Sequence, residues 1–336
     1  EDYIGRFYGE FMSYSGGDGQ SLGIVLTPKH ITELFCDLAE LKPTDKVLDP
    51  CCGTAGFLIA AMHYMQKETD EESVKRSIRQ DQLFGIESQG YMFTIATTNM
   101  ILRGDGKSNL HNWDFLAQNP AQLQLNACTV GMMNPPYSQA QKTKDPKQYE
   151  INFTEHLLNS LVVGAKCIVI IPQSSLTGKT LAEKNIKYNI LKRHTLEGVI
   201  TLQKDTFYGV GTNPCIAVFT AGIPHDKNHV CKFIDFTNDG YKVSKHIGLV
   251  ETPSAKDKKQ HLLDVWFGRC KAPNSYCVYT TILPEDEWLH SFYYFNDEIP
   301  SEADFEKTMA DYLTFEFNMI THGRGYMFEE KEVADE

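Results

Sequence analysis

Met132-Met133-Asn134-Pro135-Pro136-Tyr137 is an apolar run that passes abruptly into an amide, two prolines and an aromatic ring. Proline cannot donate to a sheet ladder, so Ala127 to Met133 reads as a buried strand that stops at Asn134 and leaves the sheet rigidly. In an open α/β sheet, ligands bind beyond the carboxyl ends of the strands, and this junction therefore aims Asn134 and Tyr137 into a cleft. The Asn134 side-chain oxygen and the Pro135 carbonyl can together accept both hydrogens of one planar amine, while Tyr137 stacks on the ring that carries it. Pro136 stiffens the turn between them. A proline-rich turn following a core strand is the bland reading of the same residues, and four residues alone are a short motif.

Working outward, Lys46 to Asp49 predicts another short strand, ending in Asp49-Pro50-Cys51-Cys52-Gly53-Thr54-Ala55-Gly56-Phe57 and a helix to about Gln66. Small-residue loops between strand and helix bring backbone amides close to a ligand. The loop lacks GxGxxG, and the next acid at a strand end, Glu87, lies well beyond the roughly 20-residue spacing of nicotinamide-binding folds. No Gly-Lys-Ser/Thr follows, which excludes a phosphate loop. A nucleoside with a charged amino-acid tail fits better: Asp49 and the loop face the tail, and Glu87 accepts from both ribose hydroxyls. Acids at such positions also serve as plain helix caps. Asp114 and Phe115 follow a third predicted strand end, where the carboxylate could accept from an adenine amine under the Phe115 ring, or could lie in a surface loop. Upstream, Thr27 reads as an N-cap and Pro28 as the first residue of a helix.

The rest of the chain sets the frame. Tyr3 to Met12 predicts an amphipathic helix forming an N-terminal flap with the Gly/Ser-rich turn after it, and residues 1–45 form a helical segment. Strand and helix alternate through 46–222, with Lys166 to Pro172 a continuous β-branched run typical of a central parallel strand. This predicts a doubly wound, mostly parallel α/β sheet, with Cys215 to Thr220 as a hairpin-like edge. Residues 223–336 break the rhythm and form a C-terminal extension, with a strand near Val230 to Phe236 and a helix over Glu302 to Phe315. Glu1 falls within a pattern already under way, so a longer parent protein is expected.

With 32 Lys+Arg against 44 Asp+Glu the net charge is −12, which opposes unaided binding to a polyanion. Lys142, Lys144 and Lys147 offer a local basic loop, solvated or touching phosphates. The nine cysteines form no CxxC pair and no ligand cluster, so no metal is expected and the thiols read as reduced, in a cytoplasmic protein. No apolar run approaches the roughly 18 residues of a membrane span.

LTPKHI, DPCCGTAGF, GIE, NWDFL, NPPY, VIIPQSSL and YGVGTNPCIAVF, in that order, resemble the N6-adenine DNA methyltransferases of the gamma arrangement, and most of all the modification subunit of type I restriction-modification systems. The resemblance covers roughly residues 1–222. It implies a Rossmann-like class I fold, S-adenosylmethionine as cofactor and duplex DNA as substrate. It further implies a separate specificity subunit and, in such systems, a restriction subunit. Thr27 and Pro28 would lie near the methionine tail, Asp49, Cys51, Gly53, Thr54, Gly56 and Phe57 along the cofactor, and Glu87 at its ribose. The family usually has glycine where Ala55 stands, and a methyl there could crowd the backbone's approach to the cofactor. NPPY also resembles methyltransferases acting on a protein glutamine amide, and a non-catalytic structural subunit is a third expectation.

Overall fold

The computed structural model describes residues 26–104, 109–139, 145–178, 180–207, 211–244, 248–295 and 301–324. The N-terminal flap, Lys142, Lys144 and Tyr208 lie outside them.

Nine strands form one sheet in the order β11-β8-β6-β7-β5-β4-β1-β2-β3. They are β1 (Val47–Asp49), β2 (Leu83–Ile86), β3 (Asn109–His111), β4 (Val130–Met133), β5 (Lys166–Pro172), β6 (Thr195–Leu202), β7 (Pro214–Thr220), β8 (Cys231–Phe236) and β11 (Cys277–Thr280). β3, β2, β1, β4 and β5 run parallel. β7 is antiparallel to both β5 and β6, which in turn pairs in parallel with β8. A hairpin, β9 (Tyr241–Ser244) with β10 (Gly248–Glu251), stands apart from this sheet.

The helices are α1 (Lys29–Ala39), α2 (Gly56–Lys67), α3 (Glu72–Asp81), α4 (Gly90–Ile101), the short α5 (Pro120–Leu123), α6 (Glu150–Ser160), α7 (Gln173–Thr177), α8 (Leu181–Arg193), α9 (Ala255–Trp266) and α10 (Glu302–Thr321). Those of the first unit, α1 to α9, cover both faces of the sheet. Side chains alternate across a strand, so Ile168 and Ile170 of β5 enter the core beneath α1, α2 and α9, while Cys167, Val169 and Ile171 enter the core beneath α6 and α8. The β-branched run that predicted a central strand is thus buried on both sides.

Two expectations need correction. β7 is not an edge: it is inserted between β5 and β6, and the ends of the sheet are β3 and β11. Its composition already suited burial on both faces, because Cys215 to Phe219 are all buried. Thr27 does not cap α1, which begins at Lys29 with no side-chain cap. The Pro28 carbonyl instead accepts from Ile31 and Thr32, and the Thr27 hydroxyl is engaged elsewhere.

Residues after 222 contribute β8 and β11 to the same sheet, and the chain divides into compact units after Tyr294 rather than after 222. In the second unit α10 carries a capping box, Ser301 with Asp304, and exposes Phe305, Met309, Leu313, Phe317 and Ile320.

Candidate active site

The carboxyl ends of β1, β2 and β4 face one cavity of about 120 Å³, walled by Cys51 to Thr54, Gly56 and Phe57, by Glu87, Gln89 and Met92, by Leu26 and Thr27, and by Asn134 to Tyr137. The position follows from topology, since β1 and β4 are sheet neighbours whose outgoing chains turn to opposite faces, opening a crevice between them.

β1 ends at Asp49, which is fully buried. Its Oδ1 accepts from the Cys51 amide at 3.2 Å, and its Oδ2 is buried without a partner. Burial pushes its carboxyl well above the usual range, and the nearby Glu87 charge adds to this against the opposing Cys51 amide. The loop then folds tightly: Ala55 N–H donates to the Cys52 carbonyl, and Gly53 and Ala55 take left-handed backbone angles, φ 53° and 68°. Ala55 is fully buried in the core under α2 and does not reach the cavity wall. The methyl that threatened to crowd a ligand points away from it.

β2 delivers Glu87. One carboxylate oxygen accepts from the Gly53 amide at 3.0 Å and the other from the Gln89 amide at 2.7 Å. Asn112 fastens this turn from β3's side, its Nδ2 donating to the carbonyls of Glu87 and Ser88. Each carboxylate oxygen keeps a further lone pair to accept from a ligand hydroxyl.

β4 delivers Asn134 directly after its last residue. Its Nδ2 donates to Thr27 Oγ1 at 3.0 Å, while its Oδ1 is buried with no partner. Tyr137 donates its hydroxyl to the Ile170 carbonyl at 3.2 Å and rests edge-on against Phe207, ring centroids 5.9 Å apart. Burial raises its phenol well above the ordinary value, so it is a neutral donor. Ser138, the next residue, has φ 59° and donates its amide to Glu150 at 2.6 Å.

Of the residues singled out in the sequence, Thr27, Cys51, Gly53, Thr54, Gly56, Phe57, Glu87, Asn134, Pro135, Pro136 and Tyr137 share this wall. Asp49 lies behind it. Pro28, Asp114 and Phe115 are not on it. Asp114 is exposed and caps a short turn by accepting from the Leu116 amide, and Phe115 packs its ring on Phe153 and His156. Leu26, Cys52, Gln89 and Met92 join the wall unannounced. Gln89 had a signal, because a residue two beyond a strand-end acid is placed to donate its amide to that acid. Phe207 had one too, in the aromatic cluster beside Gly209. Among the described residues no group of three His, Cys, Asp or Glu side chains could hold a metal ion, and no helix is long and apolar enough to cross a membrane.

Known proteins resemble this chain in sequence and in fold. The model of the N-6 DNA Methylase family matches residues 1–296. The type II restriction enzyme and methyltransferase RM.BcgI of Heyndrickxia coagulans is 51% identical over 328 residues, covering 98% of this chain and 52% of that protein. The methylase subunit of the type I restriction enzyme EcoEI of Escherichia coli is 24% identical over 214 residues, 60% of this chain and 43% of that subunit. The chain thus spans about half the length of these relatives. A modification subunit of a putative type I restriction enzyme from Vibrio vulnificus shares the fold with a TM-score of 0.66 at 17% identity, over 82% of this chain and 59% of that one. The chain therefore belongs to the N-6 DNA methylase family.

Proposed function

We propose that this chain transfers a methyl group from S-adenosylmethionine to the exocyclic N6 of adenine in duplex DNA, as the modification part of a restriction-modification system. The observation that carries the proposal is Asn134: a buried amide oxygen with no partner, at the mouth of a parallel sheet, beside a neutral tyrosine. A buried acceptor left open costs free energy, and a substrate amine removes that cost.

The residues present fit the cofactor. Glu87 accepts from ribose hydroxyls, Gly53 and its neighbours let the backbone approach closely, and Asp49, behind the wall, supplies a buried carboxyl whose charge favours a cationic tail. Asp114 and Phe115, expected at the adenine end, are off this wall, the first capping a turn and the second packed in the core, and are not assigned to the cofactor. The cofactor supplies an electrophilic methyl on a sulfonium; the remainder is the work of this chain.

A target adenine leaves the helix, which costs a few kcal/mol of unstacking, and lies against Tyr137. Asn134 Oδ1 and the Pro135 carbonyl accept from its amine. As these bonds draw the two hydrogens out of the ring plane, the nitrogen lone pair is freed to attack in line. No general base precedes attack, because the proton leaves an already cationic amine. Catalysis is therefore positioning and electrostatics.

The −12 charge supports a division of labour in which a specificity subunit supplies base contacts, with a restriction activity elsewhere in the assembly. The test is to incubate the chain, with its specificity partner, with duplex DNA and isotope-labelled S-adenosylmethionine, then digest and weigh the nucleosides. N6-methyl-2′-deoxyadenosine carrying the label supports the proposal; label confined to protein glutamine, or to none, overturns it.

A further inference from the structure

Thr27 and Asn134 are 107 positions apart in the chain, yet the Asn134 amide donates to the Thr27 hydroxyl oxygen at 3.0 Å. We propose that Thr27 is a positioning residue: by accepting from Nδ2 of Asn134 its hydroxyl leaves Oδ1 as the unpartnered end of the amide, the acceptor that the substrate amine meets. The inference rests on Asn134 being the amine acceptor, and it assigns Thr27 a role distinct from contact with the cofactor.

An asparagine amide has one end that donates and one that accepts, and a half-turn about χ2 exchanges them. Only one orientation suits an amine, because the exchanged one sets N–H against N–H. In the orientation observed, Oδ1 is buried and open while Nδ2 is satisfied by Thr27. Without the hydroxyl, that same orientation leaves Nδ2 buried with no acceptor, and the penalty falls on the productive complex.

The support for Thr27 is itself rigid. It precedes α1, whose first turn is closed by the Pro28 carbonyl accepting from Ile31 at 3.0 Å and Thr32 at 3.1 Å. Phe35 of α1 packs on Phe57 of the cofactor loop with ring centroids 4.5 Å apart. Residues far along the chain brace its other side: His30 stacks on Tyr241 of β9 at 4.0 Å, and Asp37 pairs with Lys259 of α9 at 2.7 Å. α1 is thereby fixed between the methyl-donor cavity and the segment after 222. The Thr27 oxygen is held where the amide needs it.

Thr27→Val preserves shape and removes the acceptor, and Thr27→Ser restores it. In the active assembly, Thr27→Val should lower kcat by about tenfold to a hundredfold. Its dissociation constant for S-adenosylmethionine, read by calorimetry, should stay within about twofold, and Thr27→Ser should recover most of the rate. A cofactor affinity that falls in Thr27→Val with kcat at saturation intact would overturn the proposal in favour of a cofactor contact. An unchanged kcat overturns it as well. A readout independent of turnover is the side-chain amide resonance of Asn134, identified by its loss in Asn134→Asp. Thr27→Val should shift it and Thr27→Ser should not; a resonance indifferent to both overturns the proposal. If wild type methylates no adenine, the functional reading fails while this resonance still decides the positioning role.

Discussion

Ala55 shows what a single residue can hide. A glycine is usual at this place, and the sequence suggested that its purpose is closeness to the cofactor. In the structure the demand is conformational: φ is 68°, a left-handed angle that costs an alanine about 1 kcal/mol or more, and its methyl fills the core. Ala55→Gly should therefore leave cofactor affinity within about twofold, as calorimetry can check. Glu87 differs, because its carboxylate is on the cavity wall and charge-assisted bonds are at stake. Glu87→Gln should weaken S-adenosylmethionine binding by about 1 to 3 kcal/mol, and unchanged affinity would remove it from the site. Asp49 gives a pH dependence. Its folded value lies above the ordinary 3.8, raised first by burial and further by Glu87, so the free chain holds a proton there to higher pH than an ordinary carboxyl does. A cationic ligand group favours the carboxylate, so binding releases that proton, and affinity rises with pH from above 3.8 up to the raised value. Calorimetry in buffers of different ionisation enthalpy should show proton release in wild type and none in Asp49→Asn. For stability the same shift has the opposite sense: its contribution is full below the unfolded value and is lost as pH rises through the folded one.

At the scale of elements, the strand-to-loop junction works because three tethers fix it. Asn134 is tied to Thr27, Tyr137 to β5 through Ile170, and Ser138 to Glu150. Glu150 opens α6, where the helix dipole favours a carboxylate, and its second oxygen accepts from Ser175 of α7 at 3.3 Å. Glu150→Ala should cost about 1 to 3 kcal/mol of stability and slow transfer. Glu150→Gln can still accept from Ser138 and donate to Ser175, so it should keep most of both. A melting curve of Glu150→Ala that matches wild type would show the tether to be idle. What the sequence revealed divides along the same line. Lys166 to Pro172 was legible to the residue, since a buried β-branched run declares itself locally. The insertion of β7 between β5 and β6, and the bond from Asn134 to Thr27, were not, because both join segments distant in sequence. Asp114 and Phe115 were ambiguous for a chemical reason: an aromatic beside an acid serves equally as ligand cover or as core and cap, and here Phe115 lies in the core.

At the scale of the molecule, a net charge of −12 bears on how DNA is reached. Alone, the chain should bind duplex weakly and without preference, and a specificity subunit supplying base-edge contacts should make binding tight and sequence-dependent. Selection from a duplex library at two salt concentrations separates the cases; enrichment of one motif by this chain alone would place base recognition within it. α1, the β1 loop and the β4 junction surround one cavity, and the proposed function turns on the unpartnered oxygen of Asn134. The direct test is single-turnover methyl transfer by the assembled enzyme with Asn134→Ala, alongside its cofactor affinity. Transfer should fall by about a hundredfold or more, with affinity for S-adenosylmethionine within about twofold of wild type. Transfer that persists near the wild-type rate, or a loss of transfer wholly accounted for by lost cofactor affinity, would contradict the assignment of Asn134 to the substrate amine.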